Sequence, residues 1–158
     1  MKRFLLLVIA ATTMCMTPVF AEENAQNTNM QILLDKVKAD KKLLIASNMD
    51  LTDQESKAFW PLYEGYQKGL AKVNGHMGGV INEYAEAYNK GSVPDAVAKK
   101  IINEAIKTEG EEVILRREYA EKLTKVLPAH KVARYLQMES KIRALVKFDL
   151  AANIPLMY

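Results

Sequence analysis

Apolar side chains recur every third or fourth position along four stretches of the chain, which is the period of an amphipathic α-helix. No stretch shows the alternation of apolar and polar residues that a half-buried β-strand requires. The pattern therefore predicts an all-α fold of four helices. The first begins near Met30 and ends between Ala46 and Asn48, and the others cover about residues 52–89, 94–127 and 128–153. The apolar positions of the first helix are Met30, Leu33, Leu34, Val37, Leu44 and Ile45.

The second helix has the clearest start signal and the longest apolar stripe. Thr52 is placed to cap the helix, and Glu55 follows three residues later to return the hydrogen bond, as in a capping box. The stripe steps by three or four residues throughout, a near-heptad, coiled-coil-like pattern that implies a partner helix along one face. Its members are Phe59, Tyr63, Tyr66, Leu70, Val73, Met77, Ile81, Tyr84 and Tyr88.

Two segments bear on the continuity of this second helix. Pro61 lacks a backbone donor and crowds the carbonyl of Lys57, so a bend is expected just after Trp60. The three glycines within residues 74–79 each cost about 1 kcal/mol relative to alanine in a helix interior. The apolar phase is nevertheless preserved across them, which favours an unbroken helix over a split one. Gly91 is well placed to cap its end.

The third and fourth helices carry similar stripes, and Leu127 and Pro128 mark the boundary between them. The third stripe is polar in its middle, where Glu112 and Arg116 lie four residues apart in the order that favours an ion pair. The fourth helix has a mostly basic surface. The two stripes consist of Val97, Ile101, Ala105, Thr108, Glu112, Leu115, Tyr119, Leu123 and Val126, and of Val132, Tyr135, Leu136, Ile142, Leu145 and Val146.

Two of the four helices are long, which predicts an elongated antiparallel helical hairpin or bundle. A thin bundle of this kind has limited interior, so some apolar surface is expected to face a second subunit or a partner. We therefore predict a homodimer. Residues 30–158 form a single domain, and the polar, asparagine-rich residues 22–29 form a flexible leader. The apolar tail from Ile154 to Tyr158 follows the last helix and is expected to pack on something.

The first 21 residues have the pattern of a secretory signal peptide. Lys2 and Arg3 are followed by an unbroken apolar run over residues 4–11, and Val19 and Ala21 stand where a signal peptidase reads. The sequence predicts export to the periplasm and cleavage after Ala21. The run is too short for the roughly 20 apolar residues of a membrane span, so no stable span is expected.

Cleavage would change both the charge and the thiol content of the chain. With 22 Lys and Arg against 19 Asp and Glu the net charge is +3, and loss of Lys2 and Arg3 lowers it to +1. Such a balance lacks the one-sided basic stripe of a nucleic-acid binder, so nucleic acid is not an expected partner. Cys15 is the only cysteine and lies in the signal peptide. Acylation of Cys15 is the weaker alternative, because Thr13 and Met14 fit a lipoprotein processing site poorly.

Candidates for catalytic chemistry are few. His76 and His130 lie on different helices, and neither has a second histidine or a carboxylate at the three- or four-residue spacing of a helical metal site. Glu-x-x-His motifs and glycine-rich phosphate loops are absent from the sequence. We predict that the protein is not an enzyme and that it has no catalytic residues, no cofactor and no metal site.

An aromatic cluster near the start of the second helix is the positive signal for binding. Within eight residues the chain has four aromatic side chains, Phe59, Trp60, Tyr63 and Tyr66. One helix face can bury Phe59, Tyr63 and Tyr66, but Trp60 projects from the neighbouring face. The cluster either packs entirely against the other helices, which is the favoured interpretation, or contributes an exposed binding surface.

Two helix-start motifs give the chain a resemblance to a known family. Leu51 and Thr52 precede the second helix, with Glu55 in the last position of the motif, and Leu127 and Pro128 precede the basic last helix. In organisation the chain resembles the periplasmic LTxxQ-motif proteins, the Spy/CpxP-like group. The resemblance implies a small periplasmic helical protein, often an antiparallel dimer, that shields unfolded clients without ATP or restrains an envelope stress sensor.

The resulting expectation is a stress-response chaperone whose apolar patch contacts unfolded or partly folded envelope proteins while flanking cations attract them. A regulatory module that binds the sensor domain of a membrane signalling protein is the alternative. A structural role in which the tail docks on lipid is a third. The candidate client-binding residues are Trp60, Leu62, Tyr63, Tyr66, Tyr84 and Tyr88, with Lys131, Arg134, Lys141 and Arg143 as the flanking charges.

Overall fold

The fold is all-α, as the periodicity predicts. A computed structural model describes residues 40–157, and the predicted signal peptide, the predicted leader and the predicted start of the first helix lie outside them. Helix α1 covers residues 40–49 of the described chain, α2 is Asp53–Asn89, α3 is Asp95–Thr124 and α4 is Ala129–Asn153. The part of the chain that is described contains no β-strand.

The predicted capping box starts helix α2. The hydroxyl of Thr52 accepts a hydrogen bond from the backbone N–H of Glu55 at 3.2 Å, and the Glu55 carboxylate accepts one from the N–H of Thr52 at 2.8 Å. Lys131, near the start of α4, donates to the same carboxylate at 2.7 Å and to the carbonyl of Asp50 at 2.7 Å. The hydrogen bond from Lys131, followed by that from the Thr52 backbone, lowers the pKa of Glu55. The cap therefore also ties α4 to α2.

Helix α2 remains a single helix over its 37 residues. Pro61 lies inside it and has no N–H to donate to the carbonyl of Lys57. Lys57 is exposed, so water can take the place of that hydrogen bond. The glycine-rich residues 74–79 also stay helical, which confirms the prediction from the apolar phase. The helix ends at Asn89 with Lys90 as its C-cap, and Gly91 follows with a φ of 96°, a left-handed conformation that glycine adopts without strain.

Helices α2 and α3 form the predicted antiparallel hairpin. Near one end of it Lys100 of α3 donates to Glu83 of α2 at 2.9 Å. Towards the other end two glycines of α2 allow a close approach: a Cβ at Gly65 would lie 2.6 Å from the hydroxyl oxygen of Tyr119, and one at Gly69 would lie 2.6 Å from Leu115 Cδ1. The missing side chains thus let α3 pack directly on the α2 backbone.

The hydrophobic core lies at one end of this hairpin, where α1 and the first half of α4 pack on it. Helix α2, at about 1.5 Å per residue, is far longer than the core that it supports. Tyr135, Phe59 and Ile45 are fully buried, and they bring α4, α2 and α1 together. The core also includes Met49, Tyr63, Tyr66, Leu70, Leu123, Leu127, Val132 and Ile142. Most members come from the stripes that the sequence predicts.

Candidate functional site

Three tyrosines proposed as client contacts lie in the interior. Tyr63, Tyr66 and Tyr84 retain only 5%, 3% and 6% of their exposure. Burial, followed by the negative charge of Glu139, raises the pKa of Tyr63 and of Tyr66 to about 12. In this conformation these side chains have almost no surface to offer a client, so their place in the predicted contact set is corrected to a place in the core.

The three other candidate client contacts on α2, Trp60, Leu62 and Tyr88, are half-buried. The Trp60 ring stacks edge-on with Phe59 and Tyr63 at centroid distances of 5.0 and 5.3 Å, and Lys42 Nζ lies 5.2 Å from its centroid. Leu62 packs partly buried against the core. Near the far end of the hairpin, the Tyr88 ring is 5.7 Å from that of Tyr84. Of the two interpretations left open by the sequence, core packing is the one that the structure supports for this cluster.

The four basic candidates on α4 fall into two pairs. Lys131 donates a hydrogen bond to Glu55 in the α2 cap. Arg143 donates to Glu112 and Asn74. Arg134 and Lys141 are exposed. At 100° per residue they lie roughly 160–180° around α4 from Arg143, which faces α3. These four residues therefore do not form one basic surface.

A polar cluster that the sequence analysis missed joins α1, α2 and α4. Glu139 is 95% buried, and its carboxylate accepts hydrogen bonds from Lys41 Nζ at 2.7 Å and from Gln67 Nε2 at 2.9 Å. Lys41 also donates to Gln67 Oε1 at 2.9 Å, and Gln67 donates to the hydroxyl of Tyr135 at 3.4 Å. Burial and the charge of Glu139 raise the pKa of Tyr135. The available signal was the position of Glu139, three residues before Ile142 on the apolar stripe.

A second polar cluster joins α2, α3 and α4. Arg143 donates from Nε to the Glu112 carboxylate at 2.9 Å and from a terminal nitrogen to Asn74 Oδ1 at 2.6 Å. Arg116 donates to the hydroxyl of Ser140 at 2.8 Å. The favourable spacing of Glu112 and Arg116 had suggested a pair within α3. The structure instead uses both side chains between helices, because their face of α3 is the one that α4 covers.

These two clusters border a groove of about 650 Å³ between α2, α3 and α4. Its apolar lining includes Leu70 of α2, Val113 of α3, and Ile142 and Val146 of α4. Lys41 lies at one end of it. The groove thus borders the core at Leu70 and Ile142 and extends along α2 to Asn74 and along α4 to Lys147.

A row of exposed aliphatic side chains lies along α3. Ile102 is 54% exposed, Ile106 64% and Val113 58%. At 100° per residue they fall within about 40° of each other on the helix. We call the row of Ile102, Ile106 and Val113 the α3 patch. Ile114 is 69% exposed and lies beside it. The sequence stripes missed it because it occupies a second face of α3, beside the face that packs on α2.

The remaining candidate features are the histidines, metal ligands, membrane-spanning helices and the C-terminal tail. His76 is exposed, and its Nδ1 lies 2.8 Å from Glu111 Oε2. Among residues 40–157 there is no group of three or more His, Cys, Asp or Glu side chains that could hold a metal ion. Within the same residues, no helix combines the length and apolar character needed to cross a bilayer. Of the predicted packing tail, Leu156 is 81% and Met157 42% exposed.

Comparison with known proteins adds no identification. The chain matches no protein-family model, no curated protein and no solved structure.

Proposed function

We propose that this chain is a periplasmic, ATP-independent chaperone-like protein of the envelope stress response, and that the α3 patch contacts apolar segments of unfolded envelope proteins. The observation that carries the proposal is the row of Ile102, Ile106 and Val113, each more than half exposed. Isolated exposed aliphatic residues are common on protein surfaces, but three that share one face of a helix offer a partner a larger apolar surface.

The charges beside the α3 patch indicate which clients it would favour. Lys99 and Arg117 are exposed and lie on α3 within about 60° of the row, one towards each end. Cations beside an apolar strip attract segments in which acidic residues flank the apolar ones, and they keep the complex hydrated. The resemblance to the LTxxQ-motif group and the predicted signal peptide supply the proposed location and the class of client.

The test is light scattering of an aggregating unfolded protein, without nucleotide, in the presence of the purified chain at increasing molar ratio. The variant Ile102→Gln/Ile106→Gln removes two of the three aliphatic side chains of the row. Leu43→Gln is the matched control, because Leu43 is exposed to the same 64% as Ile106 but lies on α1. Exposed substitutions of this type change stability by about 0.5 kcal/mol or less, so each variant should stay folded.

The proposal expects suppression by the wild-type chain and by Leu43→Gln, and a loss of suppression in the double variant. Equal activity of the double variant would remove the α3 patch from the mechanism, and no suppression by the wild type would remove the chaperone activity. Sedimentation equilibrium supplies a further check. A dimer that the double variant converts to monomer would assign the patch to a second copy of the chain.

The alternative role, a regulator of a membrane sensor protein, predicts different behaviour. Such a module binds one partner saturably, whereas a chaperone recovers many unfolded proteins from envelope extract. Recovery of one sensor domain, together with no suppression of aggregation, would therefore favour the regulator. Liposome flotation tests the third role, docking of the tail on lipid, and a chain that fails to float would remove it.

A further inference from the structure

The groove between α2, α3 and α4 has the size and lining of a small-molecule site. Its volume of about 650 Å³ falls within the range of about 300–1,000 Å³ that is usual for such sites. Along α4 the lining extends from Glu139 to Lys147, which is about 12 Å at roughly 1.5 Å per residue. All three helices contribute apolar side chains, which are Leu70 and Ala71 of α2, Val113 of α3, and Ile142 and Val146 of α4. A single extended apolar chain laid along the groove would contact all three helices.

The charges that line the groove do not cancel. Within residues 40–157, each of its three carboxylates is paired with a cation that also lines it. The pairs are Glu109 with Lys147 at 3.3 Å, Glu112 with Arg143 at 2.9 Å, and Glu139 with Lys41 at 2.7 Å. Arg116 is the fourth cation of the lining, and it has no carboxylate partner among the same residues. The groove therefore carries one positive charge in excess.

Arg116 is held in place and keeps donors to offer. It donates a hydrogen bond to the hydroxyl of Ser140 at 2.8 Å, and that hydroxyl donates to the carbonyl of Leu136 at 2.8 Å. A guanidinium has five N–H donors in a planar fork, so several remain after the bond to Ser140. Such a fork fits a carboxylate through two parallel hydrogen bonds. An anion bound at Arg116 would have the apolar lining beside it, because Ile142 and Val146 follow Ser140 along α4.

We propose that the groove binds an aliphatic carboxylate, a single apolar chain that ends in one negative charge. The carboxylate pairs with Arg116, and the chain lies along Leu70, Ile142 and Val146. One negative charge matches the one excess positive charge, whereas a neutral ligand would cover the guanidinium without giving it a partner. This inference does not rest on the proposed function, because the α3 patch shares only Val113 with the groove.

Isothermal titration calorimetry of the purified chain with decanoate tests the proposal. Decanol and decyltrimethylammonium supply the same apolar chain with no charge and with a positive charge. We expect saturable binding of one decanoate per chain. Decanol should bind about tenfold or more weakly than decanoate, because it lacks the charge-assisted hydrogen bonds to Arg116. The cationic analogue should not bind.

Two pairs of variants locate the ligand. Arg116→Gln should weaken decanoate binding about tenfold or more, and Arg116→Lys should recover part of that loss because it keeps the charge. Arg117→Gln is the matched control, since Arg117 is the next residue, is also exposed and does not line the groove. Val146→Asp places a negative charge among the apolar side chains and should abolish binding. Phe148→Asp is its control, because Phe148 is 54% exposed on the same helix and does not line the groove.

The contrary outcomes are equally specific. Equal affinity for decanoate and decanol, or an unchanged affinity in Arg116→Gln, would overturn the proposal. A loss of affinity in Ile102→Gln/Ile106→Gln would assign the ligand to the α3 patch and overturn it as well. A dimer that Val146→Asp converts to monomer in sedimentation equilibrium would assign the groove to a second copy. If Val146→Asp does not fold, Arg116→Gln decides, because Arg116 is exposed. Failure of decanoate to bind would leave the light-scattering test of the chaperone proposal unaffected.

Discussion

The buried pair of Lys41 and Glu139 leads to the most quantitative prediction. The side chains are 19% and 5% exposed, and Nζ lies 2.7 Å from Oε2. The variant Lys41→Met keeps the aliphatic stem but leaves the Glu139 carboxylate without its counter-charge, and Gln67 Nε2 remains as a donor. Removing one partner of a buried ion pair costs about 3–5 kcal/mol. For a chain of this length that corresponds to a fall in Tm on the order of 10 °C.

A double-mutant cycle isolates the charge from the change of shape. Glu139→Gln keeps the size of the side chain and can still accept the bond from Gln67, while Lys41 is exposed enough to reach water. We expect this single variant to cost about 1–2 kcal/mol. In the Glu139→Gln background the further change Lys41→Met should have little effect, because no buried charge remains to be stranded. The coupling energy is then roughly 3–5 kcal/mol, close to the whole cost of Lys41→Met.

The assay is urea unfolding followed by circular dichroism, with the free energy of unfolding extrapolated to zero denaturant. Lys100→Met is the control, since Lys100 pairs with Glu83 at 2.9 Å but is 61% exposed. That change should cost much less than Lys41→Met, because solvent screens an exposed pair. If Lys41→Met costs no more than Lys100→Met, the Glu139 carboxylate is hydrated and the reasoning about its burial is wrong.

Two further predictions follow from the packing of α2. Gly79→Ala should stabilise the chain by up to about 1 kcal/mol, because a Cβ there meets nothing within 4 Å. Gly69→Ala should lose that gain to the contact with Leu115, so its effect should lie between zero and about 2 kcal/mol of destabilisation. Equal effects of the two variants in thermal melts would contradict the close approach of α3 to α2. Tyr63 and Tyr66 have pKa values raised to about 12, so the folded chain holds protons that the unfolded chain releases above pH 10. The free energy of unfolding should therefore fall as the pH rises from 10 towards 12. Absorbance at 295 nm should show these two phenols ionising at a higher pH than the exposed tyrosines. Ionisation of every tyrosine near pH 10 without unfolding would contradict their burial.

Much of the helical architecture was predictable because its signals are local. The capping box of Thr52 and Glu55, the turn at Gly91 and the boundary at Pro128 each depend on residues within one helical turn. The apolar phase across residues 74–79 was also sufficient to predict an unbroken helix, since packing of a continuous face outweighs the low propensity of glycine.

The candidate site was less predictable, because periodicity names the face of a helix but not what covers it. Tyr63 and Tyr66 lie on the stripe that the sequence identifies. Their burial depends on residues far along the chain, such as Tyr135 of α4, whose ring packs against both. Ile106 is as apolar as the buried Ile101 of the same helix, and it is exposed because no described helix packs on that side of α3.

Periodicity and capping signals were enough to predict the bounds of helices α2 to α4 to within about three residues, and the apolar face of each. The tertiary structure decided which of those faces are buried, which charges become partners and which apolar side chains remain at the surface. Glu139 is the clearest case: its position on the stripe was visible, but burial of a carboxylate requires Lys41 and Gln67 from two other helices. Contacts between residues so distant in sequence depend on the relative placement of helices, which no local pattern encodes.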